Sequence, residues 1–298
     1  MDKFIEPIHE QYVDGNARSP IITDYSPLGE YMHFKNLNVL GWKIVSPDEF
    51  NIPLNAHHGG LHYNPVTIAH HGLELYSIMV SKGELGCDKF SNIVNWAINN
   101  QNVDGGWPFT FDHMFFKDRV ELLKTPWYSA LSQGMMISLF VRNSRFSDEM
   151  EKYVDLSMEI IEKKVELGGC LRSNIDGLYF YEEYPTTPPS YVLNGFMFCL
   201  VGLYDASKVL KSEKASVLFE AGMNTLERLL PLYDLGSGTS YDLTHFFSGV
   251  EGPNQARNSY HRLHISLLSL LNLVSERRFA RVVSRWDSYL KGNRLITN

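Results

Sequence analysis

The sequence predicts a mainly α protein, an (α/α) barrel or toroid of about four helical hairpins with a short N-terminal β-containing arm. Three observations carry this. Four long segments share an apolar periodicity of about 3.6 residues and a common polar pattern near their starts. Their alignment points, Gly72, Gly134, Gly195 and Ile265, lie 62, 61 and 70 residues apart, a spacing that marks a repeated supersecondary unit. Each is followed by a second amphipathic segment, near 88–101, 147–165, 213–230 and 277–291. The expected division is an arm over 1–64 and a toroid over 65–298.

In chain order, the arm comes first. Residues 33–47, HFKNLNVLGWKIVSP, alternate β-prone and polar types between Gly41 and Pro47, which predicts a hairpin or extended segment packed on the helices. The repeated segments are NPVTIAHHGLELYSIMV from Asn64, TPWYSALSQGMMISLFV from Thr125, PPSYVLNGFMFCLVGLY from Pro188 and NSYHRLHISLLSLLNLV from Asn258. In three of them a proline stands near the expected first helical position, where its missing N–H costs nothing. Thr67, Ser129, Ser190 and Tyr260 stand five residues before the alignment points, and His71, Gln133, Asn194 and His264 one residue before. Residues four apart share a helix face. A polar stripe on helices that are otherwise apolar predicts a wet cavity lined by all four; satisfied polar groups inside ordinary core helices fit the same pattern. Glycine clusters fill the connections, in QNVDGGWPF, LGGCLRS and GSGTSYDLTH. The QxxDGGW turn resembles that of helical toroid proteins such as terpene cyclases.

Composition narrows the function. The 298 residues are 44% hydrophobic, enough for a sizeable core. Net charge is −7 with no basic block, so no nucleic-acid partner is expected, and a polyanionic ligand must find its positive contacts inside a groove. Cys87, Cys170 and Cys199 form neither a CxxC pair nor a disulfide framework, which fits a reducing compartment. The first residues, MDKFIEPIHEQYVDG, lack the apolar run of a signal peptide. The longest apolar run, 265–274, carries Ser266, Ser269 and Asn272 and is about half a membrane span, so no membrane span and a cytoplasmic location are expected.

The densest chemical constellation is YFYEEYPTTPPSYVLNG, which sets Tyr181, Glu182, Glu183 and Tyr184 ahead of the third inner helix. Tyr241, Asp242 and His245 precede the fourth, and Tyr260, His261 and His264 lie on it. Tyrosine and glutamate suit proton abstraction and return once burial or a neighbouring charge moves their pKa values. A solvated loop for the glutamates and an aromatic plug for Tyr241 remain compatible with the same residues. His261 and His264, three apart, raise metal binding, but no further carboxylate or cysteine stands at ligand spacing to them; His57, His62, His70 and His71 raise the same idea, and no metal is expected. No GxxxxGKS, GxGxxG or GxSxG motif occurs.

EEYPTTPPSYVLNGF, GLYD at 202–205, PLYDLGSGTSYDLTH from Pro231, SYLKG near the C-terminus, GGWPF and WYSALSQGMMISLFVR together resemble the C-terminal domain of D-glucuronyl C5-epimerases, the heparosan and heparan sulfate glucuronate 5-epimerases. The likeness runs from about Tyr63 onward. It implies an isomerase that inverts C5 of D-glucuronate units to L-iduronate within a polysaccharide, without a cofactor, and a homodimer. Glu183 and Tyr260 then correspond to an opposed acid and base, and Tyr184 and Tyr241 hold substrate or assist proton transfer. Arg172, Arg257 and Arg262 are candidates to clamp the substrate carboxylate with a bidentate fork. Gln133, Asn194 and His264 of the polar stripe are candidate substrate contacts, and Trp107, Trp127 and Tyr128 candidate sugar platforms or barrel packing. One departure stands out: Thr244-His245 follow the YDL tyrosine where the family typically shows Arg-His, which removes one cationic contact. A polyuronate lyase and a non-catalytic glycan-binding toroid are the competing readings. A hydrolase needs two carboxylates flanking one bond, which adjacent glutamates rarely do.

Overall fold

The helical region begins at Asn64, whose side chain accepts hydrogen bonds from the N–H groups of Val66 and Thr67, with Pro65 at the first helical position. The computed structural model describes residues 20–32, 44–57, 59–84 and 86–292; the expected arm residues 33–43 lie outside them. Ahead of Asn64, β1 (Ile44–Pro47), β2 (Pro53–His57) and β3 (Gly60–Tyr63) form an antiparallel sheet in that order, with Leu54 opposite Tyr63.

Four helix pairs follow: α1 (Pro65–Lys82) with α2 (Asp88–Asn100), α3 (Ala130–Asn143) with α4 (Met150–Glu162), α5 (Leu193–Val209) with α6 (Glu213–Tyr233), and α7 (Asn258–Val274) with α8 (Ala280–Tyr289). The protein is mainly helical. A short ribbon of β4 (Leu171–Arg172) and β5 (Phe180–Tyr181) precedes α5. The first helix of each pair packs on the first helix of the next, α1 on α3, α3 on α5 and α5 on α7. These inner helices are apolar nearly all round; every residue of α3 is buried. The outer helices are amphipathic and lay one face on their partners, as Ile93 and Ala97 of α2 do. No described helix is long and apolar enough to cross a membrane.

Glycine sets the closest helix contact. A Cβ on Gly202 of α5 would lie 2.2 Å from the carbonyl oxygen of Gly134 on α3, and one on Gly134 would lie 2.5 Å from Cα of Cys199. Only two glycines facing each other let these backbones touch.

Residues 20–32 cross the C-terminal halves of all four inner helices as a strap. Ser266 Oγ donates to Pro20 O (2.7 Å) and the Ile22 N–H to Ser269 Oγ (2.8 Å) on α7. Tyr25 OH donates to Asp205 of α5 (2.7 Å), and Arg142 of α3 reaches Gly29 O (3.3 Å). On α1, Tyr76 OH donates to Leu28 O (2.8 Å) and Ser77 Oγ accepts from the Tyr31 N–H (2.9 Å). At the centre Arg142 pairs with Asp205 at 2.8 Å, both fully buried, and Ser138 Oγ adds a third donor to that carboxylate. Because the strap meets the same end of each helix, the four inner helices run in one direction and their N-termini gather at the opposite end.

Two sequence expectations need correction there. Pro126 and Pro188 do not start helices: 125–129 and 188–192 are non-helical, and α3 and α5 begin only at Ala130 and Leu193. The four-residue stripe therefore shares one helix face only in α1 and α7. Ser129 is the cap residue of α3 and Ser190 lies before α5, so each belongs to the rim of the helix rather than its side.

Candidate active site at the N-terminal ends of the inner helices

Strand β5 delivers Glu182 and Glu183 to the starts of α3 and α5. The Ala130 N–H, first in α3, donates to Glu182 O at 2.9 Å, and the Glu182 N–H donates to Cys170 O at 2.8 Å. Successive residues of an extended chain point to opposite sides, and the two carboxylates separate accordingly. Glu182 turns to Arg172 Nε (2.9 Å), Ser190 Oγ (3.1 Å) and the Tyr191 N–H (3.0 Å). Burial pushes its carboxyl up to about 7, against the pull of Arg172. Glu183, also buried, accepts from Asn194 Nδ2 at 2.9 Å and lies over Gly195 in the first turn of α5. The positive end of the α5 dipole favours a negative charge there.

The loop of Tyr241 meets the same helix start, since the Leu193 N–H donates to Tyr241 O at 3.1 Å. The Tyr241 ring stands edge-to-face on Tyr260, centroids 4.6 Å apart at 75°. Tyr184 stacks on Phe115 (4.4 Å) and His113 (5.1 Å), and Phe115 reaches Tyr241 (6.1 Å). Glu183, Tyr184, Tyr241 and Tyr260 thus surround one helix mouth, joined by residues of the 109–127 connection.

Beneath Tyr260, one turn along α7, His264 belongs to a directed hydrogen-bond chain. His261 Nε2 lies 3.1 Å from the carbonyl oxygen of Trp286, which can only accept, so Nε2 carries the proton. Burial lowers the pKa of His261 and favours its neutral form, whose Nδ1 then accepts from Thr239 Oγ1 at 3.1 Å. The single Thr239 proton being used, His264 Nδ1 donates to Thr239 Oγ1 at 2.8 Å. In the neutral form of His264 the lone pair is then on Nε2, on the face of α7 that bears Tyr260.

The family described as "D-glucuronyl C5-epimerase C-terminus" matches residues 101–288, which include all four residues of this mouth. The chain belongs to this family. It is 37% identical over 225 residues to a D-glucuronyl C5-epimerase of Caenorhabditis elegans, covering 70% of this chain and 36% of that protein. It is 26% identical over 187 residues to an uncharacterised protein of Methanocaldococcus jannaschii, covering 60% of this chain and 56% of that one. The chain thus spans about a third and just over half of the lengths of these curated relatives.

Within the region matched to the C5-epimerase family, the remaining sequence candidates separate. The Arg172 guanidinium is engaged by Glu182 and by Thr186 O (2.8 Å). Arg257 is exposed at the start of α7 and Arg262 is half-buried in its second turn. Trp107 is fully buried, donates to Ala97 O at 2.7 Å and packs edge-on against Phe140, away from the mouth. Trp127 stacks on Phe109 at 4.0 Å, and the Tyr128 hydroxyl bonds Asn102. Thr67 Oγ1, Ser129 Oγ, Gln133 Oε1 and Asn194 Oδ1 are buried with no intramolecular hydrogen bond. Leaving such an atom unmatched costs about 1–3 kcal/mol. Among the described residues no group of three or more His, Cys, Asp or Glu gathers as for a metal. Sequence reasoning missed Phe115, His113 and Thr239. The first two sit in a connection without a motif, and Thr239 had a signal only in its place within GSGTSYDL.

Proposed function

We propose that this chain is a polysaccharide-modifying isomerase that inverts C5 of D-glucuronate units to L-iduronate in a heparosan-like chain. The observation that carries this is one mouth holding the buried carboxylate of Glu183, fixed by Asn194, together with the Tyr241–Tyr260 pair. In this reading the four helix pairs close into an (α/α) barrel, and the sugar enters at the helix N-termini.

The C5 hydrogen is acidified by the adjoining carboxylate. Glu183, as carboxylate, takes that proton, and the electron pair spreads onto the substrate carboxylate as an enediolate. Donors already in place stabilise that charge at no cost of reorganisation. Tyr260 then gives its phenolic proton to the opposite face of C5, and solvent returns both groups to their starting states. Tyr184 and Tyr241 hold the ring between them. The reverse direction exchanges the two roles, so both groups serve as acid and base.

The test is incubation of the protein with heparosan in deuterated water, followed by NMR at C5. Deuterium at C5 in chains of unchanged length is the expected result, because the returning proton comes from an exchangeable hydroxyl. Unsaturated, ultraviolet-absorbing chain ends identify a lyase instead, and binding without either identifies a glycan-binding toroid. Tyr260→Phe and Glu183→Gln each abolish exchange with the fold intact; wild-type exchange in either overturns the assignment.

A further inference from the structure

The connection between α2 and α3 holds an arginine that no step above uses. Arg119 is half-buried in a turn in which its own N–H and that of Val120 donate to Phe116 O at 3.1 and 3.2 Å. Its guanidinium lies on the Phe116 ring, 4.6 Å from the centroid, and its Nη1 donates to Thr244 Oγ1 at 3.3 Å. The Thr244 hydroxyl donates onward to Asp242 Oδ1 at 2.6 Å, the Thr244 N–H donates to the same oxygen at 2.9 Å, and Asn254 Nδ2 donates to Asp242 Oδ2 at 2.7 Å. Asp242 is fully buried and held by these three donors. Among the described residues no carboxylate pairs directly with Arg119, and its Nε and Nη2 make no hydrogen bond. One corner of the fork is thus anchored and the rest keeps its donors.

The position of this cation matters. Phe115, four residues earlier, stacks on Tyr184 and reaches Tyr241. Thr244 lies three residues after Tyr241. The Glu121 N–H ties the same loop to Thr187 O at 2.8 Å, beside the segment that delivers Glu183. In a chain of net charge −7 a polyanion needs local cations, and Arg172 is already committed to Glu182.

We propose that Arg119 is an anion-binding residue of the site, holding an oxyanion of the acidic sugar chain, a uronate carboxylate or a sulfate, through the free edge of its guanidinium. Thr244 and Asp242 orient that edge. This rests on the acidic-polysaccharide reading above. An arginine fork matches either oxyanion in a bidentate manner.

The experiment compares wild type, Arg119→Gln, Arg119→Lys and Thr244→Val with three probes: heparosan, N-sulfated heparosan and carboxyl-reduced heparosan. Binding is measured by calorimetry and C5 exchange by NMR. Arg119→Gln weakens heparosan binding about tenfold, as loss of one charged hydrogen-bond contact does, and the loss falls on KM more than on kcat. Arg119→Lys recovers part of it, and Thr244→Val, which frees the anchored corner, gives an intermediate loss. Carboxyl-reduced heparosan binds wild type and Arg119→Gln alike if the partner is the carboxylate; a loss confined to the N-sulfated chain assigns the sulfate. Unchanged affinity of a folded Arg119→Gln for both acidic chains overturns the proposal. Should Arg119→Gln itself fail to fold, unchanged affinity in Thr244→Val does so. A wild type that binds through Arg119 yet exchanges no C5 hydrogen sinks the isomerase reading alone.

Discussion

The Glu183 carboxylate occupies the space that a side chain on Gly195 needs: a Cβ there would lie 2.3 Å from Oε2 and 2.4 Å from the Glu183 Cβ. The glycine therefore sets how deep the carboxylate sits over the first turn of α5. Gly195→Ala displaces it by about an ångström, and misplacement of that size costs roughly a hundredfold in rate. The measurement is C5 deuterium exchange beside circular dichroism. Full exchange in a folded Gly195→Ala protein removes Glu183 from the chemistry.

The Thr239 chain governs His264. Thr239→Val takes away the proton that His261 Nδ1 receives and the oxygen to which His264 Nδ1 donates. Imidazole 15N shifts in wild type assign the His264 proton to Nδ1; in Thr239→Val that preference collapses. Stability falls by about 1–3 kcal/mol from the unmatched ring nitrogens. A wild-type spectrum with the His264 proton on Nε2 contradicts the chain as drawn.

The Arg142–Asp205 pair is fully buried, so removing one partner strands the other. Arg142→Met costs about 3–5 kcal/mol in urea unfolding, whereas the double change Arg142→Met with Asp205→Leu recovers part of it. A single change worth no more than an exposed ion pair counts against this account.

His70 gives a pH dependence. Burial lowers its pKa from 6.5 to about 3. The folded value lies below the unfolded one, so the unfolded chain takes up the proton first. Stability from the neutral ring is full above pH 6.5 and is lost as pH falls toward 3, at about 1.4 kcal/mol per pH unit. His57 and His113, both lowered to about 4 chiefly by burial, act in the same direction. Thermal melts from pH 7 to 4 show a flatter acid limb for His70→Gln than for wild type; identical slopes refute the attribution.

The helix pairs were legible because their signal is local. Apolar spacing and the recurring start pattern placed α1 through α8 within a few residues. The prolines mislead at Pro126 and Pro188, where an extended approach to the helix looks like a helix start in sequence. Glu183, Tyr184, Tyr241 and Tyr260 stood out by residue type and motif, and the structure gathers them at one mouth. Which of two adjacent glutamates faces Arg172 depends on the register of β5 against β4, and that is set by pairing partners eight and ten residues apart. Arg119 was silent for a related reason. Its importance lies in Thr244, 125 positions away, and no periodicity records such a contact.

The strap that crosses the inner helices ties Ile22 to Ser269, 247 positions later. Its binding groove does not exist until α7 has been made and packed. On an emerging chain this segment must wait, undocked from α7, until Ser269 has followed it, and bringing so distant a pair together is slow and entropically costly. Its contact with α7 thus forms late in assembly, and hydrogen exchange of the Ile22 amide measures how firmly that latch holds.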